Sequence, residues 1–165
     1  MKDAFVIGIL ALVAIAVGLV LYFSVPTLFK DSEGTVSYKE IKSGQNATQE
    51  PQRANYRIRS QSEFEALWYH LYGTDQPGVE NIDFTKQEVL AVFDGTHSTG
   101  GYAVKVTKVE DTLLARVVTI EHVAPDPSCT VPESISAPYQ IIVLPILKQG
   151  NTLTHNDVES VIRCP

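Results

Sequence analysis

A long apolar run opens the chain, and no charged residue interrupts it between Asp3 and Lys30. As a helix, its centre Ala4–Phe23 would span roughly 30 Å at about 1.5 Å per residue, which matches the hydrocarbon core of a bilayer. The run has no polar face, which a helix packed on a globular domain would show. We therefore predict a membrane anchor over residues 1–30, with a transmembrane helix that contacts the lipid bilayer through Ala4–Phe23. A cleaved signal peptide is the alternative, but bulky residues follow the run where a cleavage site needs small ones.

Residues 31–54 are mostly polar and predict a tether, in which Thr35–Ile41 can form a first strand. A folded domain is predicted over residues 55–165. A helix is predicted in this domain from an apolar stripe at helical spacing, formed by Phe64, Leu67, Trp68 and Leu71. Two capping boxes fit the start of this helix, Ser60 with Glu63 and Ser62 with Glu65, and Gly73 fits its end.

From residue 88 onwards the pattern is that of strands. Glu88–Gly95 and Ala137–Ile146 are continuous apolar runs, which are typical of strands inside a sheet. Alternating polar and apolar residues predict two more strands, one on each side of a turn at residues 111–112, and shorter strands are predicted at 54–60 and within 155–165. About six strands and one helix, without strand–helix alternation, predict an α+β fold: a transmembrane helix followed by a mainly antiparallel β domain with one packed helix.

Charge and cysteines narrow the location and the partners. Beyond Lys30 the chain holds 18 acidic and 11 basic residues, an imbalance that argues against a nucleic-acid partner. Its two cysteines, Cys129 and Cys164, predict a disulfide; closing a loop of about 36 residues would stabilise the fold by roughly 4 kcal/mol. Two free thiols are the alternative. A disulfide favours an oxidising compartment, and Lys2 slightly favours a cytoplasmic N-terminus. We therefore predict a single-pass protein of the cell membrane. Its C-terminal domain would lie outside, in the periplasm or extracellular space.

The stretch FDGTHSTGGY, residues 93–102, gathers the residue types of a catalytic site. Asp94, His97 and Ser98 are a triad in composition, but neighbours in one turn diverge, whereas a triad needs side chains that converge from separate elements. A hydrolase is therefore a remote alternative, and no catalytic residue is predicted. The four histidines show no metal-ligand spacing, and no phosphate-binding glycine motif occurs, so we predict no metal and no cofactor.

The glycines of this stretch predict a turn between two strands. Gly100 and Gly101 can supply positive φ or close backbone approach, and Tyr102 can begin the next strand. Thr99–Tyr102 is also our candidate for a binding loop.

The ordered series of motifs VLAVFDGTHSTGGYAVKVTKVED, LLARVVTIEHVAP and APYQIIVLPI resembles the C-terminal domain of PrcB-like protease-complex subunits. The likeness covers roughly Tyr56 to Ile146, and EFEALW and NIDFTKQEVL are similar to segments that precede this domain in the family. The resemblance implies a non-enzymatic accessory protein that is exported or attached to the membrane and binds an exported protease or another envelope protein. Founding members of the family are lipoproteins that support the maturation or stability of a secreted protease, whereas in this chain a predicted membrane helix takes the place of the lipidated cysteine.

A second resemblance concerns Thr99-Gly100-Gly101-Tyr102 alone. This tetrapeptide is similar to the threonine-threonine-glycine-aromatic loop of chagasin-like cysteine-protease inhibitors. That likeness implies a different function, in which the loop itself is inserted into the cleft of a protease.

Overall fold

Eight strands and one helix make up the part of the chain that the computed structural model describes, residues 34–73 and 79–163. In chain order they are β1 (Gly34–Thr35), β2 (Lys39–Gly44), β3 (Arg53–Ile58), α1 (Gln61–Tyr72), β4 (Gln87–Asp94), β5 (Ala103–Asp111), β6 (Ala115–Pro125), β7 (Tyr139–Pro145) and β8 (Thr152–Ile162). A first sheet has the strand order β1-β5-β6-β8, and a second sheet has the order β2-β7-β4-β3. Neighbouring strands are antiparallel except β6 and β8, which are parallel.

Side-chain alternation along β4 explains how the layers stack. Leu90 and its neighbours on the same face pack with Ile120 and other residues of the first sheet in one hydrophobic cluster. Phe93 and its neighbours on the opposite face pack with Phe64 of α1 in a second cluster. The second sheet therefore lies between the first sheet and the helix. Because β4 is buried on both faces, its sequence is a continuous apolar run and does not alternate.

The predicted helix is present and begins at its predicted cap. The Ser60 side chain accepts a hydrogen bond from the Glu63 backbone N–H at 3.3 Å, and a Glu63 carboxylate oxygen accepts one from the Arg59 N–H at 2.8 Å. The helix ends at Gly73, whose φ is +77°, a value that favours glycine, and whose N–H donates to the Tyr69 carbonyl at 2.9 Å.

The predicted α+β fold class is wrong, because the described residues form a mainly β fold of two packed sheets with one helix. The additional strands come from polar sequence. β1 and β2 lie in the segment predicted as a tether, where a single strand over Thr35–Ile41 was predicted, and β8 begins before the predicted last strand. β2 forms one edge of its sheet and is largely exposed, so its sequence needs no apolar alternation and gives a weak signal.

The transmembrane helix predicted within this fold class, Ala4–Phe23 in residues 1–30, lies outside the described residues. Within residues 34–73 and 79–163, no helix has the length and hydropathy needed to cross a membrane. The fold that the structure supports is thus mainly β with one packed helix.

The connection predicted between two strands joins β4 to β5, and these strands belong to different sheets. β4 belongs to the second sheet and β5 to the first, so residues 95–102, which we call the glycine loop, cross from one sheet to the other. Gly34 pairs with Asp111 at the far end of β5, nine residues from the glycine loop. At about 3.3 Å per residue this separation is roughly 30 Å. The glycine loop and Gly34 therefore lie at opposite ends of the sandwich, and we call the end with the glycine loop the apical end.

Candidate functional site

A group of charged side chains lies at the apical end, where the ends of several strands meet. We call it the apical cluster; its members are Arg53 on β3, Asp94 on β4, His97 in the glycine loop, His122 on β6, and Asp157 and Glu159 on β8. The cluster connects both sheets with the glycine loop.

Asp94 is the centre of the apical cluster, and its side chain is 2% exposed. One carboxylate oxygen is 2.5 Å from Nδ1 of His122 and 3.0 Å from Nη2 of Arg53, and the other is 2.7 Å from Nε2 of His97. An ionised carboxylate only accepts hydrogen bonds, so each of these nitrogens donates. Three donors compensate for the lost hydration of the buried charge.

Arg53 links Asp94 to the edge of the first sheet. Its second terminal nitrogen lies 2.6 Å from Glu159. Burial alone would lower the pKa of Arg53, but the hydrogen bond with Glu159 and the negative charges of Glu159 and Asp94 raise it above its ordinary value. Arg53 is therefore a permanent cation of the cluster.

The two histidines of the cluster bond to carboxylates. His122 is buried, and its Nε2 lies 3.2 Å from Asp157 while its Nδ1 bonds to Asp94, so both ring nitrogens are occupied. His97 bonds to Asp94 through Nε2 and stacks on the Tyr102 ring, with centroids 3.7 Å apart and planes 5° apart. Ser98 is exposed, and among the described residues no hydrogen bond joins its hydroxyl to either histidine. Ser98 thus diverges from the other two residues, as predicted, whereas the side chains of Asp94 and His97 contact each other.

Metal ligation was tested on the same part of the chain. In residues 34–73 and 79–163, no group of three or more histidine, cysteine, aspartate or glutamate side chains is arranged to hold a metal ion. The carboxylate oxygens of Asp94 face N–H donors instead, so the geometry of the cluster is that of a hydrogen-bonded network.

The glycine loop is fastened to the loop over residues 126–138, which we call the cysteine loop because it contains Cys129. His97 and Ser136 exchange backbone hydrogen bonds of 2.8 and 3.0 Å, and the Gly100 N–H donates to the Pro132 carbonyl at 2.9 Å. The Ser136 hydroxyl donates to the Thr99 carbonyl at 2.7 Å. These bonds fix the conformation of the glycine loop without regular secondary structure.

The two predicted glycines have different roles in this loop. Gly101 has a φ of +91°, and a Cβ added there would lie 3.1 Å from side-chain carbons of both Pro125 and Val131. Gly100 has no such φ, but an added Cβ would lie 3.3 Å from the Pro132 ring. Gly101 thus supplies positive φ and close approach, whereas Gly100 supplies close approach alone.

The predicted binding residues are exposed to different degrees. Gly101 is exposed, and Thr99, Gly100 and Tyr102 are half-buried. Together with the exposed Ser98 and with Ile135, which is 67% exposed, they form an apical surface around the tip of the loop. Their binding role stays a prediction.

The predicted disulfide involves one residue beyond the described part of the chain. The described residues contain no free cysteine, so Cys129 is not a free thiol. Its predicted partner Cys164 lies outside them, and the Cys129–Cys164 pairing stays a prediction.

Sequence reasoning singled out Asp94 and His97 but missed the other members of the apical cluster. One of them carried a signal. Val118, Ile120 and His122 alternate along β6, so a period of two places His122 on the same buried face as two core residues. Arg53, Asp157 and Glu159 carried none, because each is a charged residue of an edge strand and its partners are set by the fold.

The comparisons with known proteins bear on the strands that surround this site. The family model described as PrcB C-terminal matches residues 89–145, which run from β4 to β7 and include both apical loops. No curated protein matches the chain, and no solved structure matches it. The matched region contains the motifs on which the resemblance rests, and the chain therefore carries a PrcB-like C-terminal domain.

Proposed function

We propose that this protein is a non-catalytic accessory subunit that binds an exported protease through its apical surface. The PrcB C-terminal match supports an accessory domain associated with a protease complex.

The observation that carries the proposal is the fixed glycine loop within the matched region. Hydrogen bonds from Gly100 and Ser136 hold the loop, while its tip at Ser98 and Gly101 is exposed. A loop that is ordered before binding loses little conformational entropy on association, which favours affinity. A non-catalytic role is supported by His122, because a ring with both nitrogens on carboxylates has none to serve as a base for a nucleophile.

The proposed location is the outer side of the cell membrane. Two features of the sequence support it: the apolar run Ala4–Phe23 and the pair Cys129 and Cys164. Titration of unreduced, denatured protein is expected to find no free thiol. Two free thiols per chain would remove the argument for an oxidising compartment.

Site-specific crosslinking in the native host tests the partner. A photo-reactive amino acid replaces Ser98 at the tip of the glycine loop in the full chain, and a matched control replaces Leu114, which is 77% exposed in the β5–β6 turn at the opposite end. We expect an exported protease to be crosslinked from position 98 and not from position 114, as identified by mass spectrometry. A product without a protease at position 98, or equal protease yields at both positions, refutes the proposal.

An inhibitor of papain-like proteases is the second candidate, favoured by the exposed and rigid loop tip at Gly101. It makes a different forecast: the purified full chain slows a papain-like protease, and Gly100→Ala or Tyr102→Ala abolishes the effect. Unchanged protease activity at a large excess of the chain refutes this candidate.

A further inference from the structure

The edges of the two sheets are guarded to very different degrees. An edge strand presents unpaired backbone N–H and C=O groups, and proteins protect such edges with short strands, bulges, lysines, prolines or inward-pointing charges. A long edge without these devices is a place where another strand can add.

Three of the edges carry protective features. β2 has six residues, an irregular register between Glu40 and Lys42, and a further lysine at Lys39. β3 also has six residues and presents Arg53 and Arg57. At the β1 edge of the first sheet, β1 has two residues, and the part of β5 that it leaves uncovered contains a register shift between Val106 and Lys108.

β8 is not short, has no bulge and carries no lysine or proline, and its inward-facing charges are the carboxylates Asp157 and Glu159. It is eleven residues long, pairs with β6 in an unbroken register, and contains no lysine, arginine or proline from Thr152 to Ile162. Within residues 34–73 and 79–163, no strand pairs with its other side. β8 is thus a long, regular edge.

The hydrogen bonds at the two ends of β8 show which of its backbone groups are directed outward. The Thr152 N–H donates to the Leu114 carbonyl at 3.0 Å, and the Ile162 carbonyl accepts from the Asp126 N–H at 3.0 Å. In a parallel pair, alternate residues bond to the neighbouring strand, so the even-numbered residues of β8 bond to β6. The odd-numbered residues 153, 155, 157, 159 and 161 therefore direct their N–H and C=O groups to the open edge.

We infer that the open edge of β8 is a strand-addition site for a basic, extended segment of a partner protein. Two of its inward-facing side chains are carboxylates: Asp157 is 44% exposed and contacts His122, and Glu159 is 65% exposed and contacts Arg53. Opposite charges across neighbouring strands stabilise the pairing, so lysine or arginine on the facing side of an added strand is favoured.

The same carboxylates disfavour a second copy of this chain. If two β8 strands paired antiparallel over their full length, Thr152 would face Ile162 and Asp157 would face Asp157 of the other copy. Like charges directly opposite each other destabilise a strand pair. In the same register Glu159 would face His155, so the penalty for a second copy is confined to position 157, whereas a basic segment meets attractive charges at both Asp157 and Glu159.

The outward face of β8 indicates which side chains are favoured on the same face of the added strand. Val158 and Ile162 point away from the second sheet and are 40% and 55% exposed. Apolar side chains opposite them would bury this surface. The segment that fits best thus alternates basic residues on one face with apolar residues on the other.

A synthetic probe tests this inference without knowledge of the partner. A blocked peptide of alternating lysine and valine, about nine residues long, is labelled and titrated with the full chain in non-ionic detergent, and binding is followed by fluorescence anisotropy. A control peptide carries glutamate in place of every lysine. We expect the lysine peptide to bind at least about tenfold more tightly, since it replaces repulsive pairs at Asp157 and Glu159 with attractive ones.

Variants of the edge separate strand addition from general attraction to an acidic surface. His155 is exposed, and its N–H faces the open edge, so His155→Pro removes one outward donor without removing a bond to β6. His155→Ala is the matched control. We expect His155→Pro to weaken binding of the lysine peptide by about tenfold relative to His155→Ala, because the added strand loses a backbone bond and meets the proline ring. Should His155→Pro fail to fold, Val161→Pro against Val161→Ala makes the same comparison.

Three results would overturn the inference: equal binding of the lysine and glutamate peptides, equal binding to the proline and alanine variants, or sedimentation as a dimer whose β8 amides are already protected from hydrogen exchange. The last result would assign the edge to a second copy. This surface does not use the glycine loop, so the peptide titration and the crosslinking from position 98 can fail separately.

Discussion

Replacing Gly101 by alanine tests whether the shape of the glycine loop depends on this one residue. In Gly101→Ala two effects add. The φ of +91° is a conformation that residues with a Cβ rarely adopt, and the new methyl would lie 3.1 Å from carbons of Pro125 and Val131. The ring of Pro125 at the end of β6 is stiff, so the methyl can be accommodated only if the end of β6, the cysteine loop or the glycine loop moves.

The magnitude follows from these two contributions. Left-handed φ costs a non-glycine residue roughly 1–2 kcal/mol, and overpacking at a constrained contact costs about 1–3 kcal/mol. Some relaxation will occur at an exposed loop, so we expect the free energy of unfolding to fall by about 2–3 kcal/mol. Urea denaturation followed by tryptophan fluorescence and circular dichroism measures this loss.

Two other glycines separate the contributions. Gly150 has the same φ of +91° with nothing within 4 Å of an added Cβ, so Gly150→Ala measures the backbone cost alone. Gly100 has ordinary φ and a contact at 3.3 Å, so Gly100→Ala measures a mild packing cost alone. If Gly101→Ala is no more destabilising than Gly150→Ala, contact with the cysteine loop does not constrain the glycine loop and our account of its rigidity is refuted.

Three further predictions concern buried polar groups. Arg116→Met should lower the free energy of unfolding by about 3–5 kcal/mol in urea denaturation, because it leaves the buried Glu88 carboxylate with one cation fewer. Adding Glu88→Gln should recover part of that loss, and no recovery would contradict the pairing of Arg116 with Glu88. Burial raises the pKa of Tyr72, so above about pH 10 the unfolded chain releases the phenol proton while the folded chain keeps it. The free energy of unfolding should therefore fall as pH rises above that value. Denaturation at pH 9 and pH 11 measures this fall, which should be smaller in Tyr72→Phe. Asp94→Asn places an amide among three donors and should lower the free energy of unfolding by about 3 kcal/mol. Asp157→Asn at a half-exposed site should lower it by about 1 kcal/mol or less. Equal losses would show that Asp94 is not the centre of the cluster.

The sequence contained a clear signal for buried elements. The apolar stripe of α1 and the continuous run of β4 are both present where they were predicted, since side chains that are buried must be apolar and must repeat with the period of their element. β2 and β8 gave little signal, because they are held by backbone bonds to β7 and β6 and bury few side chains. Strands were nevertheless predicted close to both, at Thr35–Ile41 and within residues 155–165. The error in fold class therefore lies in how the strands are grouped, since no local pattern specifies their pairing into two four-stranded sheets.

The candidate site shows the same limit. Asp94 and His97 are three residues apart in sequence and could be singled out, but the group that they join is assembled from four strands. Its geometry depends on the parallel pairing of β6 with β8, which no local pattern specifies. Asp157 is the clearest example: it lies in a polar stretch and becomes a partner of His122 only because β8 returns beside β6.

The apical surface and the open edge of β8 are both connected to the buried carboxylate of Asp94. Variants at and away from Asp94 can therefore show whether the two surfaces act independently. Asp94 holds His97 of the glycine loop through one carboxylate oxygen, and through the other it holds His122 and Arg53, whose remaining donors reach Asp157 and Glu159 on β8. A change at Asp94 should therefore disturb crosslinking from the loop and peptide binding at the edge together. Gly101 belongs to the glycine loop and His155 to β8, so a change at either residue should affect one surface. If the loop variant also weakens peptide binding, the coupling runs through the cysteine loop, which touches Gly101 directly and contacts the end of β8 through the Asp126–Ile162 bond.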